Sequence, residues 1–216
     1  GSLLDNEGIV LDFFAGSGTT AHAILDLNKQ DGRNRKFILV QLPEPTERKD
    51  YPTIADITKE RVRRVIAKLN DEKGGADGQD RGFRVFKLAE SSFSVWDAQG
   101  SRQLDAFEEQ LRLHVDNVRD ERSADDVLFE LLLKSGYPLS ATIEGVELAG
   151  KRVFSVAEGA LLVCLDRGLS LELMRAVAER KPERFVVLDE CFAGNDQLKA
   201  NAVQIFRAAD VTFRTV

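Results

Sequence analysis

Residues 9–20 read IVLDFFAGSGTT. Ile9 to Phe14 form a short, mostly apolar run with β-branched and aromatic members, Gly16 and Gly18 follow at once, and Thr19 to Leu27 is compatible with helix. The stretch predicts a strand, a sharp glycine turn and a helix. Such a turn lets backbone approach a ligand, and the amides at the helix start suit an anion, carboxylate and phosphate alike.

Working outward, KFILVQL at 36–42 is a nearly continuous apolar run after a polar turn at Asp31 to Arg35, as in a parallel strand covered on both faces. Together the two runs predict one βαβ unit. Pro43, Pro45 and Pro52 are incompatible with helix or a central strand, so 43–52 should loop over the carboxyl end of the sheet. Thr53 and Asp56 then read as the capping box of a helix with apolar positions Ile54, Ile57, Val62, Val65, Ile66 and Leu69. Its opposite face carries Lys59, Arg61, Arg63, Arg64 and Lys68, which fits a solvated surface or, less simply, phosphate contacts.

The Gly- and Asp-rich stretch 70–82 predicts an exposed loop, and GFRVFKL (82–88) a third strand. The pattern breaks from Ala89 to Gly100 and resumes at helical spacing with Leu104, Phe107, Leu111 and Val115. A domain boundary is therefore expected near 97–101, separating a domain 3–97 from a domain 101–216, with Trp96 anchoring the linker. Within the second, Ser123 and Asp126 cap a helix that Gly136 and Pro138 stop. TIEGVEL and KRVFSV flank Ala149-Gly150 as a hairpin, and three further strands alternate with helices at 170–180 and 195–208. The fold class expected is α/β throughout: half of a Rossmann-like unit, a helical connection, and a small C-terminal α/β domain with a mixed sheet.

The 216 residues are 43% hydrophobic, enough for a substantial core, and carry a net charge of −6. That charge argues against strong electrostatic DNA binding by this chain alone. No apolar stretch reaches the length that spans a bilayer, and a soluble, cytoplasmic protein is expected. Cys164 and Cys191 lie in apolar runs and read as buried free thiols. Gly1-Ser2 fits no later pattern and reads as tag residue.

What the glycine turn binds is open on spacing alone. Gly16, Gly18 and Ala21 satisfy a loose G-x-G-x-x-A dinucleotide fingerprint, which admits a nicotinamide-dependent oxidoreductase. The acid such enzymes place at the end of the second strand is replaced by Gln41, and no Lys follows the glycines as in a phosphate-binding Walker loop. Phe14 could be an ordinary core aromatic.

Beyond spacing, LDFFAGSGTT resembles motif I of the β-class amino-methyltransferases. RKFILVQLPEP, TIADITKERVRRVI and GFRVFKLAESSFSVWD resemble the segments after it in the modification subunits of type III restriction-modification systems. DDVLFELLLKSGYPL, VVLDECFAGNDQLKANAVQIF and FRTV are similar to the C-terminal domain of that family. The resemblance implies a site-specific DNA adenine-N6 methyltransferase with S-adenosylmethionine (SAM) as cofactor. It further implies that Asp12, Phe14, Ala15, Gly16, Ser17, Gly18, Thr19, Thr20 and Gln41 border the cofactor: Phe14 packs on it, the glycines leave room, Thr19 and Thr20 meet its methionine carboxylate, and Gln41 or Glu44 takes the ribose hydroxyls.

In this family an Asp-Pro-Pro-Tyr type motif holds the flipped adenine. The chain has no Pro-Pro pair, and in β-class order that motif and the target-recognition region would precede Leu3. No catalytic residue is thus expected within this chain. The bare edge of strand IVLDFF predicts a dimer or coverage by another segment. The partners the family implies are double-stranded DNA and the restriction (helicase/nuclease) subunit, the latter through the tail. A non-catalytic subunit-interaction module is the competing class. In the tail, Asp166, Asp189 and Glu190 at strand ends read as structural, with Ser170 and Asn195 as helix caps; no metal ligands are expected, and His22 and His114 receive no role.

Overall fold

The computed structural model describes residues 8–72, 79–94, 118–192 and 194–216. The chain forms two compact units, Gly1–Val85 and Phe86–Val216. The expected boundary at 97–101, the linker role of Trp96, the helix around 104–115 and His114 all lie outside the described residues.

The first unit runs β1 (Ile9–Asp12), α1 (Thr19–Asp31), β2 (Lys36–Leu39) and α2 (Ile54–Asp71). β1 and β2 pair in parallel, Ile9 opposite Lys36 and Asp12 opposite Leu39. The βαβ reading therefore holds. Ala21 and Leu25 of α1 and Val62, Val65 and Leu69 of α2 form a buried cluster, with Phe37 and Leu39 of β2 packed on it. Gly32 ends α1 in the left-handed conformation, as a C-terminal glycine does at no steric cost. Asn28, buried in α1, accepts from the Arg35 amide (3.0 Å) and donates to the Arg35 carbonyl (2.9 Å). That two-way bond fixes where β2 begins. The Thr53–Asp56 capping box is present in full, and the chain between the prolines is a loop closed by a bridge between Pro45 and Thr53.

Among the described residues the other face of this strand pair is exposed. Ile9, Leu11, Phe13, Ile38, Val40 and Leu42 are between 49% and 67% exposed, and the register puts Leu11 beside Ile38. Among the described residues β1 pairs only with β2. The third strand expected at 82–88 does not form: Gly82 to Leu88 joins no ladder, and Val85, Phe86 and Leu88 stay exposed. An apolar alternation makes a strand only where a neighbour's N–H and C=O groups are available, and this segment has none among the described residues.

The second unit carries a five-stranded mixed sheet. Its elements are α3 (Ala124–Lys134), β3 (Ile143–Leu148), β4 (Lys151–Val156), β5 (Leu161–Cys164), α4 (Leu171–Arg180), β6 (Arg184–Val187), a 3-10 turn (Asp189–Phe192), α5 (Asp196–Ala208) and β7 (Thr212–Thr215). The spatial order is β3-β4-β5-β6-β7, antiparallel from β3 to β5 and parallel from β5 to β7. The mixed sheet expected from the pattern is thus observed. All four residues of β5 are buried, because an inner strand covered on both faces has no polar side to present. Ala149 and Gly150 both have positive φ (48° and 73°), the backbone a tight two-residue hairpin requires. Phe185, Phe206 and Phe213 group with ring centroids 4.9 to 5.9 Å apart, joining β6, α5 and β7.

Residues 86–94 run with this second unit. Phe86 packs edge-on against Phe129 at 4.9 Å, and Glu130 of α3 accepts from the Ser91 hydroxyl and the Ser92 amide, each at 2.5 Å.

Candidate functional site

The glycine loop, 13–18, leaves the carboxyl end of β1 and lies beside Val40 and Gln41, which leave the carboxyl end of β2. Val40 ties the two ends: its amide donates to Asp12 O (2.8 Å) and its carbonyl accepts from Ala15 N (3.2 Å). Asp12 straddles the turn. One carboxylate oxygen accepts from the Phe14 amide (3.0 Å) and the other from the Thr20 hydroxyl (2.5 Å), so it joins strand end, loop and first helical turn.

Gly16 is held from two sides. Its amide donates to Gln41 Oε1 at 2.8 Å, and its carbonyl accepts from the Thr58 hydroxyl of α2 at 2.5 Å. Both glycines adopt positive φ, 53° and 79°, a region where side chains are disfavoured. Gly18 forms the start of α1 with no side chain capping it, and the amides of that first turn carry the positive end of the helix. Ala15 is buried, whereas Thr19 is exposed and Ser17 and Thr20 half-buried. Phe14 is 83% exposed, its ring 5.1 Å from that of Phe13. It is not a core aromatic of this unit.

The structure thus gathers Asp12, Phe14, Ala15, Gly16, Ser17, Gly18, Thr19, Thr20 and Gln41 around one turn. Gln41 is turned onto the loop, its Nε2 donating to Leu42 O (3.1 Å) while its Oε1 holds Gly16. The nearby Glu44 carboxylate is exposed. Sequence reading missed Thr58. Its signal was position: with Val62, Val65 and Leu69 it completes the buried stripe of α2, and a hydroxyl on an apolar stripe needs a partner.

The basic face of α2 is largely engaged within the chain. Lys59 pairs with Asp56 (2.7 Å) and Arg64 with Glu60 (2.7 Å), while Arg63 lies over the Phe83 ring. Lys59 and Thr53 hold the Asp56 carboxyl down to about 2. A surface cleft of about 330 Å³ lies beside this helix, lined by His22, Arg48, Tyr51, Arg61 and Arg64 among others. In the second unit, Asp166 accepts from the Arg152 amide (2.8 Å), Asp189 pairs with Lys199, and Glu190 with Arg167 (3.0 Å). Ser170 and Asn195 cap α4 and α5. Among the described residues no three His, Cys, Asp or Glu side chains converge as a metal-ligand set, and no helix is long and apolar enough to cross a membrane.

No family model matches the chain. The type III restriction-modification enzyme EcoP15I Mod subunit of Escherichia coli is 33% identical over 213 residues, which is 91% of this chain and 30% of that protein. The StyLTI Mod subunit of Salmonella typhimurium is 39% identical over 111 residues, 49% of this chain and 16% of that protein. A type II methyltransferase, M.KpnI of Klebsiella pneumoniae, is 41% identical over 73 residues, 31% of this chain and 18% of that protein. The chain therefore spans less than a third of the length of these curated relatives. Similarity to the first of them along nearly the whole sequence makes the chain a homologue of the Mod subunits of type III restriction-modification enzymes.

Proposed function

We propose that this chain is the cofactor-binding and C-terminal portion of a type III DNA adenine-N6 methyltransferase, and that the glycine loop receives SAM. The observation that carries the reading is the loop itself: a turn at the carboxyl end of parallel strands, held in shape from both sides, next to an uncapped helix start and an aromatic ring left in solvent. The residues fit the group. A Cβ on Gly16 would meet nothing nearer than Phe14 O at 3.9 Å, so the loop is uncrowded at that position. The amides at the start of α1 and the hydroxyls of Thr19 and Thr20 suit an amino-acid carboxylate. Phe14 supplies a flat apolar surface, and the exposed Glu44 suits ribose hydroxyls now that Gln41 serves the loop.

When bound, SAM supplies an electrophilic methyl group. The chain's own residues bind and orient: Asp12 fixes the loop against α1, and Gln41 fixes Gly16. The first unit, within 3–97, is read as part of a Rossmann-like methyltransferase domain. The region 101–216 is read as the assembly domain that meets the restriction subunit. The bare face of β1 and β2 fits a homodimer contact or coverage by further methyltransferase polypeptide. Double-stranded DNA is the substrate proposed for the whole enzyme, acting in the cytoplasm. Without an Asp-Pro-Pro-Tyr type motif the chain alone is expected not to methylate adenine.

Calorimetric titration with S-adenosylmethionine, S-adenosylhomocysteine and NAD tests this reading. Binding of the two sulfur nucleosides in preference to NAD supports it, and weak affinity is expected from a partial pocket. Preference for NAD would point to dinucleotide chemistry. Failure to bind any of them, with binding to a restriction subunit retained, would favour a pure interaction module.

A further inference from the structure

Gly16 and Gly18 look equivalent in the motif, yet they face different things. A Cβ on Gly18 would lie 3.1 Å from Thr58 Cγ2, 3.3 Å from Thr58 O and 3.6 Å from Thr58 Cα. Two of those three atoms are backbone of α2 and cannot rotate away. A Cβ on Gly16 would meet only the Phe14 carbonyl oxygen, at an ordinary contact distance of 3.9 Å. The second glycine is therefore required by packing of the loop on a helix, whereas the first has room for a methyl.

Thr58 also reaches back to Gly16. Its hydroxyl is 2.5 Å from Gly16 O and 3.0 Å from Ile54 O. One hydroxyl carries one proton, and Ile54 O already takes part in the first turn of α2, so the shorter contact with Gly16 is the stronger use of it. Gln41 holds the amide on the other side of the same residue. Both polar groups of the Gly16 backbone are thus fixed by side chains 42 and 25 positions away in sequence.

We propose that Thr58 is a positioning residue: through its hydroxyl on Gly16 and its backbone against Gly18, helix α2 sets the shape of the ligand loop before any ligand arrives. Gln41 is the opposing strut, a role distinct from contact with ribose. The inference rests on the reading of this loop as the SAM site, because a preset loop lowers the ordering cost of binding.

The test uses the 216-residue chain with two readouts: amide hydrogen exchange at residues 14–20 by NMR, and S-adenosylhomocysteine affinity by NMR shift titration. Thr58→Val keeps the shape and loses the hydroxyl; Thr58→Ser keeps the hydroxyl. In Thr58→Val, exchange at Gly16 and Gly18 should rise about tenfold and affinity fall about three- to tenfold, the range expected for one hydrogen bond. Amides in the middle of α1 and α2 should stay protected. Thr58→Ser should restore both readouts to within about twofold of wild type, which a purely space-filling role for Thr58 would not produce. Unchanged exchange and affinity in Thr58→Val, or a serine variant no better than valine, overturns the inference. A wild-type chain that does not bind S-adenosylhomocysteine, with the exchange effect of Thr58→Val intact, overturns the cofactor reading and leaves the strut in place.

Discussion

Replacing each motif glycine by alanine should separate the two roles, because the penalties differ for reasons visible in the loop. At both positions alanine must adopt positive φ, which costs about 1–2 kcal/mol, partly offset by about 0.4–1 kcal/mol from the stiffer unfolded chain. For Gly16→Ala that is nearly all, since the nearest atom to the new methyl is 3.9 Å away; a loss of about 1 kcal/mol follows. Gly18→Ala also drives its methyl to 3.3 Å from the Thr58 carbonyl oxygen and 3.1 Å from its methyl. Overpacking of this kind adds about 1–3 kcal/mol, for a total of about 2–4 kcal/mol. Ligand binding should show the opposite order. On the proposed reading the Gly16→Ala methyl sits in the ligand loop, so S-adenosylhomocysteine affinity should fall more than about tenfold while the fold survives, since even 1.4 kcal/mol of lost contact is a factor of ten. Urea titration followed through the amide resonances of Val10, Leu11 and Ile38 reads the stability of this unit alone. Equal losses for the two variants, or a larger loss for Gly16→Ala, would refute the assignment of Gly18 to helix packing.

Three further outcomes are expected. Burial works against the charge on Glu130, but Lys134, Ser91 and Ser92 outweigh it and hold the carboxyl down to about 2. Its folded value lies below the ordinary 4.5, so its stabilisation is complete above that pH and is lost as pH falls toward 2. The ceiling is about 3 kcal/mol at 1.36 kcal/mol per unit; Glu130→Gln should remove this acid-side slope from urea melts of the second unit, and an identical slope in the variant would contradict it. Burial, reinforced by Cys164, pushes the Cys191 thiol up to about 12, and burial likewise raises Cys164. Neither should react with iodoacetamide at pH 8 until denaturant is added, and rapid native labelling would show the thiols to be accessible. Finally, Leu11→Lys with Ile38→Lys places charge on the bare strand face at a cost of about 1 kcal/mol per half-exposed side chain. Sedimentation should shift toward monomer, and wild type and double variant with the same distribution would remove this face as a self-association surface.

Much of the fold was legible in short windows. The strand–turn–helix of 9–27, whose helix runs on to Asp31, the second strand, both capping boxes, the Ala149-Gly150 hairpin and the alternation of strands and helices after it all appear where their periodicity placed them. The third strand did not, since 82–88 has the alternation of a strand but no described neighbour to bond. For the site, the nine residues marked around the loop do come together, but their individual duties were not legible. Gln41 stands where a ribose ligand is usual and accepts the Gly16 amide, and Thr58 carried no motif at all.

Sequence by itself determined most of the elements and the glycine turn, because periodicity, caps and backbone freedom act within a few residues of each other. Tertiary structure alone decided which glycine is pressed against a helix and which is not, and which side chains hold the loop. Those bonds join positions 25 and 42 residues apart, and only the packing of β2 and α2 against the turn brings them within reach.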